Sequence, residues 1–406
     1  MIRLREGRVE AVLATWSGAQ ELAVSVPADA DDTPAGPAAT SGPRTARALA
    51  YPALVGEAGV GDRVLLNTSA VSLGLGTGGY HLVVALLDRT DEQRRAGDPT
   101  GPGHLVKARY TPMQAIVLGV DEEASPHRAA MEATTDLDGL PVVVADLHSA
   151  LPAVLAGVRC PSPPSTDDHD ATHDPLATDD HDDHPPTDLR VAYLMTDGGA
   201  LPLWFSRTVD RLAGSLCGTV TTGQAFGGDL EAVTVHSGLL ACRAVLDADV
   251  VVVTQGPGNL GVGTPWGFSG VAVGEAVNAV AALGGRPVAS LRLSDADPRE
   301  RHRGISHHSR TAYGRVALAR ADVVVPDGLP APLAAAVDAD VRDLADRHQV
   351  VRVGSAGLLD ALRASPVRLS TMGRGLEQDL GYFLAAAAAG RHAAALARQR
   401  ASRRRT

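Results

Sequence analysis

The densest chemistry in the chain lies between Asp295 and Ser309, which reads DADPRERHRGISHHS. Ser306 stands where a helix cap belongs, which puts His307 and His308 in a first turn. A helix dipole favours neutral imidazole there, suited to act as base, hydrogen-bond partner or ligand. Arg299, Arg301 and Arg303 can grip a carboxylate or phosphate with paired donors. Three readings compete. One is an anion site in which Arg301 and Arg303 hold the ligand and His307 or His308 is the general acid or base. Another is a metal site built from Asp295, Asp297, His302 and His307 or His308. No standard metal spacing such as H-E-x-x-H supports the second. The third is structural, with a capped helix and arginines paired to acidic neighbours.

Other loops carry candidate groups. Gly256-Pro257-Gly258-Asn259-Leu260-Gly261 fits G-x-G-x-x-G directly after an apolar strand. Gly263, Pro265 and Gly267 delay any helix that would seat a pyrophosphate. A smaller anionic ligand, met by backbone at Gly256, Gly258 and Gly261, fits better than a dinucleotide. Asp197 precedes Gly198 and Gly199, and Asp229 follows Gly227 and Gly228, with Glu231 just beyond. Facing each other, the two aspartates would orient a polar ligand or a metal-bound water. As a plain alternative, aspartate beside glycine closes a turn. Asp146, His148 and Ser149 follow the apolar run Val142–Ala145 and can reach the same rim. No G-x-S-x-G elbow accompanies them.

These groups need a scaffold. From Arg190 onward, apolar strands alternate with segments of helical period: Arg190–Met195, Thr219–Thr222, Val250–Thr254, Pro287–Leu293, Asp322–Val325 and Val350–Val353 are the strands. That alternation predicts a doubly wound parallel α/β domain. Loops entering its strands are short, whereas four strand-leaving loops are long and rich in Gly, Asp, Asn, Gln and His. Ligands bind beyond the carboxyl ends of such strands, so a common site is expected there. The first 112 residues read as short strands between Gly-rich turns, a small β-barrel, with a mobile loop at Asp31–Ala46. Residues 113–159 begin the αβ elements and should pack on the C-terminal domain. Residues 160–188 lose nearly all apolar side chains to Pro, Asp, His and Thr, as a disordered linker would. Within it, His169, His173, His181 and His184 sit among aspartates and can bind a transition metal, although hydrated spacer is the ordinary meaning of such tracts. The ligand-binding domain then spans 189–390, with a last helix at Leu376–Ala389 on an outer face. A basic, frayed tail follows at 391–406.

Composition excludes several classes. The net charge of −10 argues against nucleic acid as a partner. Lys107 is the only lysine, so no G-x-x-x-x-G-K phosphate loop exists. Cys160, Cys217 and Cys242 fit neither a zinc motif nor a disulfide framework, as expected in a reducing, cytoplasmic compartment. No signal peptide and no apolar run of membrane-spanning length is evident.

The stretches Tyr51-Pro52-Ala53-Leu54, GDRVLLNTSAVSLGLGTGGYH (61–81), TDGGALPL (196–203), AFGGDLEAV (225–233) and DPRERHRGISHH (297–308) resemble a bacterial family catalogued only as a domain of unknown function, DUF3866. That resemblance brings no activity, substrate or cofactor. A much fainter similarity, in domain order and at Ala248–Arg292, is to the precursor subunit of component B of the glycine, sarcosine and betaine reductases. Its pyruvoyl chemistry has no counterpart cysteine here. The reading that follows is an enzyme acting on a small anionic metabolite. A non-catalytic sensor or assembly protein is the alternative, and a metal-dependent hydrolase the next. The cofactor is unknown, and a homo-oligomer is possible.

Overall fold

A computed structural model describes residues 2–27, 44–76, 78–90, 93, 101–160 and 189–405. The Asp/His segment at 161–188 lies outside these residues, as does most of the expected Asp31–Ala46 loop. Arg44–Ala46 is instead the start of a strand. The chain divides into two units: Met1–Leu118 with Trp204–Asp210, and Gly119–Leu203 with Arg211–Thr406.

The first unit is a closed barrel of five strands: β1 (Leu4–Trp16), β2 (Ala19–Val26), β3 (Arg44–Ala50), β4 (Arg63–Asn67) and β5 (His81–Leu86). Their closed order is β1-β2-β3-β5-β4, with β3 and β5 parallel, a small Greek-key barrel. Two register shifts against β2 bend the long β1, so that it pairs with β2 along one part and β4 along another. Alternating inward residues fill the barrel: Val9, Leu22, Val24, Ala48, Val64 and Leu66 are all buried. Trp204–Asp210 packs within this unit. Trp16 Nε1 donates to the Trp204 carbonyl at 2.7 Å, and the Glu21 carboxylate pairs with Arg47 and Arg207. Gly18 has φ +77°, and a Cβ there would sit 2.3 Å from the Trp204 ring, so only glycine fits. A hairpin of β6 (Leu105–Lys107) and β7 (Ala115–Val117) completes the unit. Of residues 113–159, expected to begin the αβ elements, Ala115–Val117 forms β7 of the first unit.

The second unit is built on eight parallel strands in the order β11-β10-β9-β12-β8-β13-β16-β17. They are β8 (Pro141–Ala145), β9 (Val191–Thr196), β10 (Gly218–Thr222), β11 (Leu230–Ala232), β12 (Val250–Gln255), β13 (Arg286–Ser290), β16 (Asp322–Pro326) and β17 (Gln349–Val353). Between β13 and β16 the pair β14 (Leu293–Ser294) and β15 (Gly304–Ile305) forms a separate two-stranded ladder. β8, β9 and β12 are fully buried, which explains why they read as unbroken Val-rich runs. The chain runs outward from β9 to β11, returns to β12, and then runs outward on the other side from β13 to β17. The direction of winding thus reverses around β12, β8 and β13, where doubly wound sheets open a crevice at their carboxyl edge.

The C-terminal helix is a difference from expectation. It spans Leu380–Arg405 and includes the residues read as a frayed tail. Ala385–Ala389 are buried. Arg391, 2% exposed, donates to the carbonyls of Cys160 and Ala356. Arg400 donates to the Asp138 carbonyl at 2.6 Å, and Arg404 pairs with the Asp138 carboxylate. Ala and Arg are strong helix formers, and these anchors hold the end down. No described helix is long and apolar enough to cross a membrane.

Candidate functional site

Asp146 follows β8, the strand at the centre of the reversal, and is buried. Its Oδ1 accepts from Asn259 Nδ2 at 2.8 Å, and its Oδ2 lies 3.0 Å from His308 Nδ1. Gln255, the last residue of β12, donates to the Asp146 carbonyl at 2.8 Å. Gln255 Oε1 in turn accepts from Ser269 Oγ at 2.6 Å, and the same hydroxyl reaches Asn259 Oδ1 at 3.1 Å. Arg292, just past β13, places Nη1 3.5 Å from Asp146 Oδ2 and 3.3 Å from His308 Nδ1. Arg292 is only 5% exposed, and its Nη2 has no hydrogen-bond partner. Nη2 does lie 3.8 Å from Asp297 Oδ2. A buried carboxylate, imidazole and guanidinium therefore meet at the carboxyl edge of the three central strands.

Two further imidazoles adjoin them. His302 closes a 3₁₀ turn (Glu300–His302), and His307 and His308 open a short helix (His307–Thr311). Ser306 caps that helix as expected, accepting from His308 N–H at 3.2 Å. The same Oγ lies 2.7 Å from His302 Nδ1. Phe268 lies flat on His308, ring centroids 3.8 Å apart at 4°, and meets His307 edge-on. One donor atom from each of His302, His307 and His308 lies within 4.8 Å of the others. His307 Nε2 is buried without a partner. Burial, and after it the electrostatic influence of His308, Arg301 and Arg292, pushes the His307 pKa down to about 4. Burial and then Arg292 and Arg299 push His302 down to about 3. Both rings are neutral at neutral pH.

His148 and Tyr193 extend the buried polar groups beneath the rim. His148 Nδ1 and Thr254 Oγ1 each lie 2.8 Å from the Tyr193 hydroxyl. Burial alone pushes His148 down to about 4.

A family model described as a protein of unknown function, DUF3866, matches residues 47–390. The chain belongs to the DUF3866 family. No curated protein shows significant similarity to it, so the faint likeness to the reductase subunit stands without support. The family match includes every residue of the cluster around Asp146.

Within this DUF3866 domain the structure sorts the candidates. His302, His307 and His308 come together, with Arg301 near enough to act on His307. Asp229 does not face Asp197. The register Val220↔Leu230 puts it level with Thr219, near the start of β10. There its Oδ2 accepts from both the amide and the hydroxyl of Thr219, at 2.8 Å each. Asp197 is exposed and accepts from Gln224 N–H at 3.0 Å, closing the loop after β10. Gly227 and Gly228 donate to Glu231 and Thr221 inside that loop. Gly198, Gly199 and Gly256 serve loop packing. A Cβ at Gly199 would lie 2.5 Å from the Gly256 carbonyl oxygen, and one at Gly256 would lie 2.2 Å from that of Ala200. A Cβ at Gly198 would lie 2.8 Å from Gln255 Oε1. Gly258 has φ +88° and open space around it, and Gly261 bridges Phe268. The helix after this loop starts only at Ala272, so the G-x-G-x-x-G run meets no helix N-terminus.

The charged candidates of 295–303 also separate. Asp297 is fully buried and ion-paired with Arg299 and Arg374. Asp295 is exposed. Arg301 and Arg303 are exposed, and Arg303 donates to the Asp297 carbonyl. The cation at the cluster is Arg292, which sequence reasoning passed over as part of a strand. An arginine inside the run VASLRL was the available signal.

Proposed function

We propose that this DUF3866 protein is an enzyme acting on a small anionic metabolite at the carboxyl edge of β8, β12 and β13. Arg292 carries the reading: a buried guanidinium with an unused Nη2, set against the Asp146–His308 pair. A buried charge with an unmatched donor is costly to the free protein. A carboxylate or phosphoryl oxygen would match it with a charge-assisted hydrogen bond. The imidazole cluster then lies against the group so held. Asp146, fixed by Asn259 and Gln255, orients His308 as carboxylates orient working imidazoles. The net charge of −10 opposes a general attraction for anions, so the preference belongs to this local cation.

A thermal-shift screen of anionic metabolites tests the reading. A ligand at one hundred times its Kd adds about 2.7 kcal/mol to stability. At least one compound should raise the Tm of wild type and fail to raise that of Arg292→Met. Arg292→Lys, which keeps the charge but loses the paired donors, should recover only part of the shift. Equal shifts in all three proteins would remove Arg292 from the site. Turnover of the compound found is followed next. His307→Ala should keep the thermal shift and lose turnover. A compound that wild type binds and leaves unchanged would make the protein a sensor instead.

A further inference from the structure

We infer that His302, His307 and His308 together hold a divalent transition-metal ion of the zinc class beside Arg292. The anion-enzyme reading bears on what the ion would do, not on whether it binds.

The three donor atoms lie within 4.8 Å of one another. Tetrahedral zinc with Zn–N bonds near 2 Å places its nitrogens roughly 3.3 Å apart. The widest pair therefore has to close by about 1.5 Å, within reach of the broad imidazole χ2 torsion. The hydrogen bonds around the rings favour the correct nitrogen. The closest partner of His308 Nδ1 is the Asp146 carboxylate, at 3.0 Å, so Nδ1 carries the proton and Nε2 keeps its lone pair. Ser306 Oγ accepts from His308 N–H and lies 2.7 Å from His302 Nδ1; in the tautomer that carries its proton on Nδ1 and donates to this oxygen, His302 has Nε2 free. His307 Nε2 is buried and without a partner. Carboxylate or hydroxyl groups behind ligating imidazoles are the usual outer support of a metal site. The Phe268 ring fixes the plane of His308.

The donor set also selects the ion. Three imidazoles without a carboxylate suit Zn²⁺ and similar borderline ions, and disfavour Mg²⁺ and Ca²⁺. Three protein ligands leave a fourth position open, as in catalytic rather than structural zinc sites. Arg292 lies on the Nδ1 side of His308, its Nη1 3.3 Å from that atom and its Nη2 without a hydrogen-bond partner. Of the carboxylates first considered as ligands, Asp297 is engaged with arginines and Asp295 is exposed.

The test is zinc titration of the full-length, chelator-stripped protein. His169, His173, His181 and His184 are changed to Asn throughout, so that the Asp/His segment cannot supply ligands. One equivalent of zinc should bind, with cobalt giving the visible absorption of a four-coordinate ion. His302→Ala and His307→Ala should each weaken binding by roughly 100-fold or more, and Ser306→Ala, which spares all three ligands, by about 10-fold. Near-ultraviolet circular dichroism identifies any variant that fails to fold, and Ser306→Ala then decides. Arg292→Met, which spares all three ligands, should still bind one equivalent of zinc while losing anion binding, so failure of one proposal is distinguishable from failure of the other. No zinc bound by the linker-substituted protein, or undiminished binding in folded His302→Ala and His307→Ala, would overturn the inference.

Discussion

Asp146 accepts from Asn259 and His308 while its backbone carbonyl accepts from Gln255. It also supplies the nearest negative charge to Arg292 Nη1. Asp146→Asn should therefore cost more than one hydrogen bond. It leaves Arg292 poorly compensated in a buried place, at about 3–5 kcal/mol, measurable by chemical denaturation. A finer probe is Gly270, where a Cβ would fall 1.9 Å from Asp146 Oδ1. Gly270→Ala removes no functional group but displaces that carboxylate. A misplacement near 1 Å costs roughly 100-fold in rate, so turnover should fall by about that factor with the fold retained. Normal turnover in Gly270→Ala would mean that the position of Asp146 does not matter. At this scale the sequence exposes the histidines, since HRGISHH is conspicuous, and hides Arg292, whose neighbours are all apolar or small. Residue type marks a group as reactive. Only tertiary packing shows which arginine has lost its water.

Among the elements, the helices Leu151–Val158 and Leu380–Arg405 cross with backbone nearly touching backbone. A Cβ at Gly157 would lie 1.8 Å from the Ala387 carbonyl oxygen, and one at Gly390 would lie 2.1 Å from that of Val154. Neither neighbour can move without its helix. Gly157→Ala and Gly390→Ala should each destabilise by about 1–3 kcal/mol, as overpacked cores do, despite the better helix propensity of Ala. A urea midpoint unchanged or raised in both would show that the helices part easily. The central strands are legible in the sequence because burial on both faces needs an unbroken Val-rich run. β11 is not legible: it has three residues and a glutamate. That omission displaced Asp229, because only the β10–β11 register reveals that the chain doubles back before the strand begins. The C-terminal helix was read as too short because a basic run resembles a solvated end. Its anchors, Asp138 and the carbonyls of Cys160 and Ala356, are remote in sequence.

For the molecule as a whole, the two units give separable signals. Trp16 and Trp204 lie in the barrel unit, and only the exposed Trp266 lies in the α/β unit. Tryptophan fluorescence should follow the barrel and far-ultraviolet circular dichroism chiefly the α/β unit, so the two melting curves need not coincide. Acid should act on the second. Burial lowers His148 from 6.5 to about 4. Between those values the unfolded chain binds a proton that the folded one refuses, so stability falls as pH drops through the window. The loss from this group reaches on the order of 3 kcal/mol near pH 4 and then stops growing. His148→Gln should flatten the dichroism-monitored slope over that range, and an unchanged slope would assign acid sensitivity to other groups. The two-unit plan is visible in the sequence, as a β-rich part followed by regular αβ alternation, whereas the return of Trp204–Asp210 to the barrel is not.

That return has a consequence for how the protein can be taken apart. The piece that holds Trp16 and Glu21 in place is encoded between β9 and β10, well inside the other unit. A gene fragment ending at Leu118 would specify a barrel with its tryptophan bond and one arginine partner missing. Cutting or recombining the coding sequence at the apparent border therefore yields two incomplete products, and the halves have to be inherited as one.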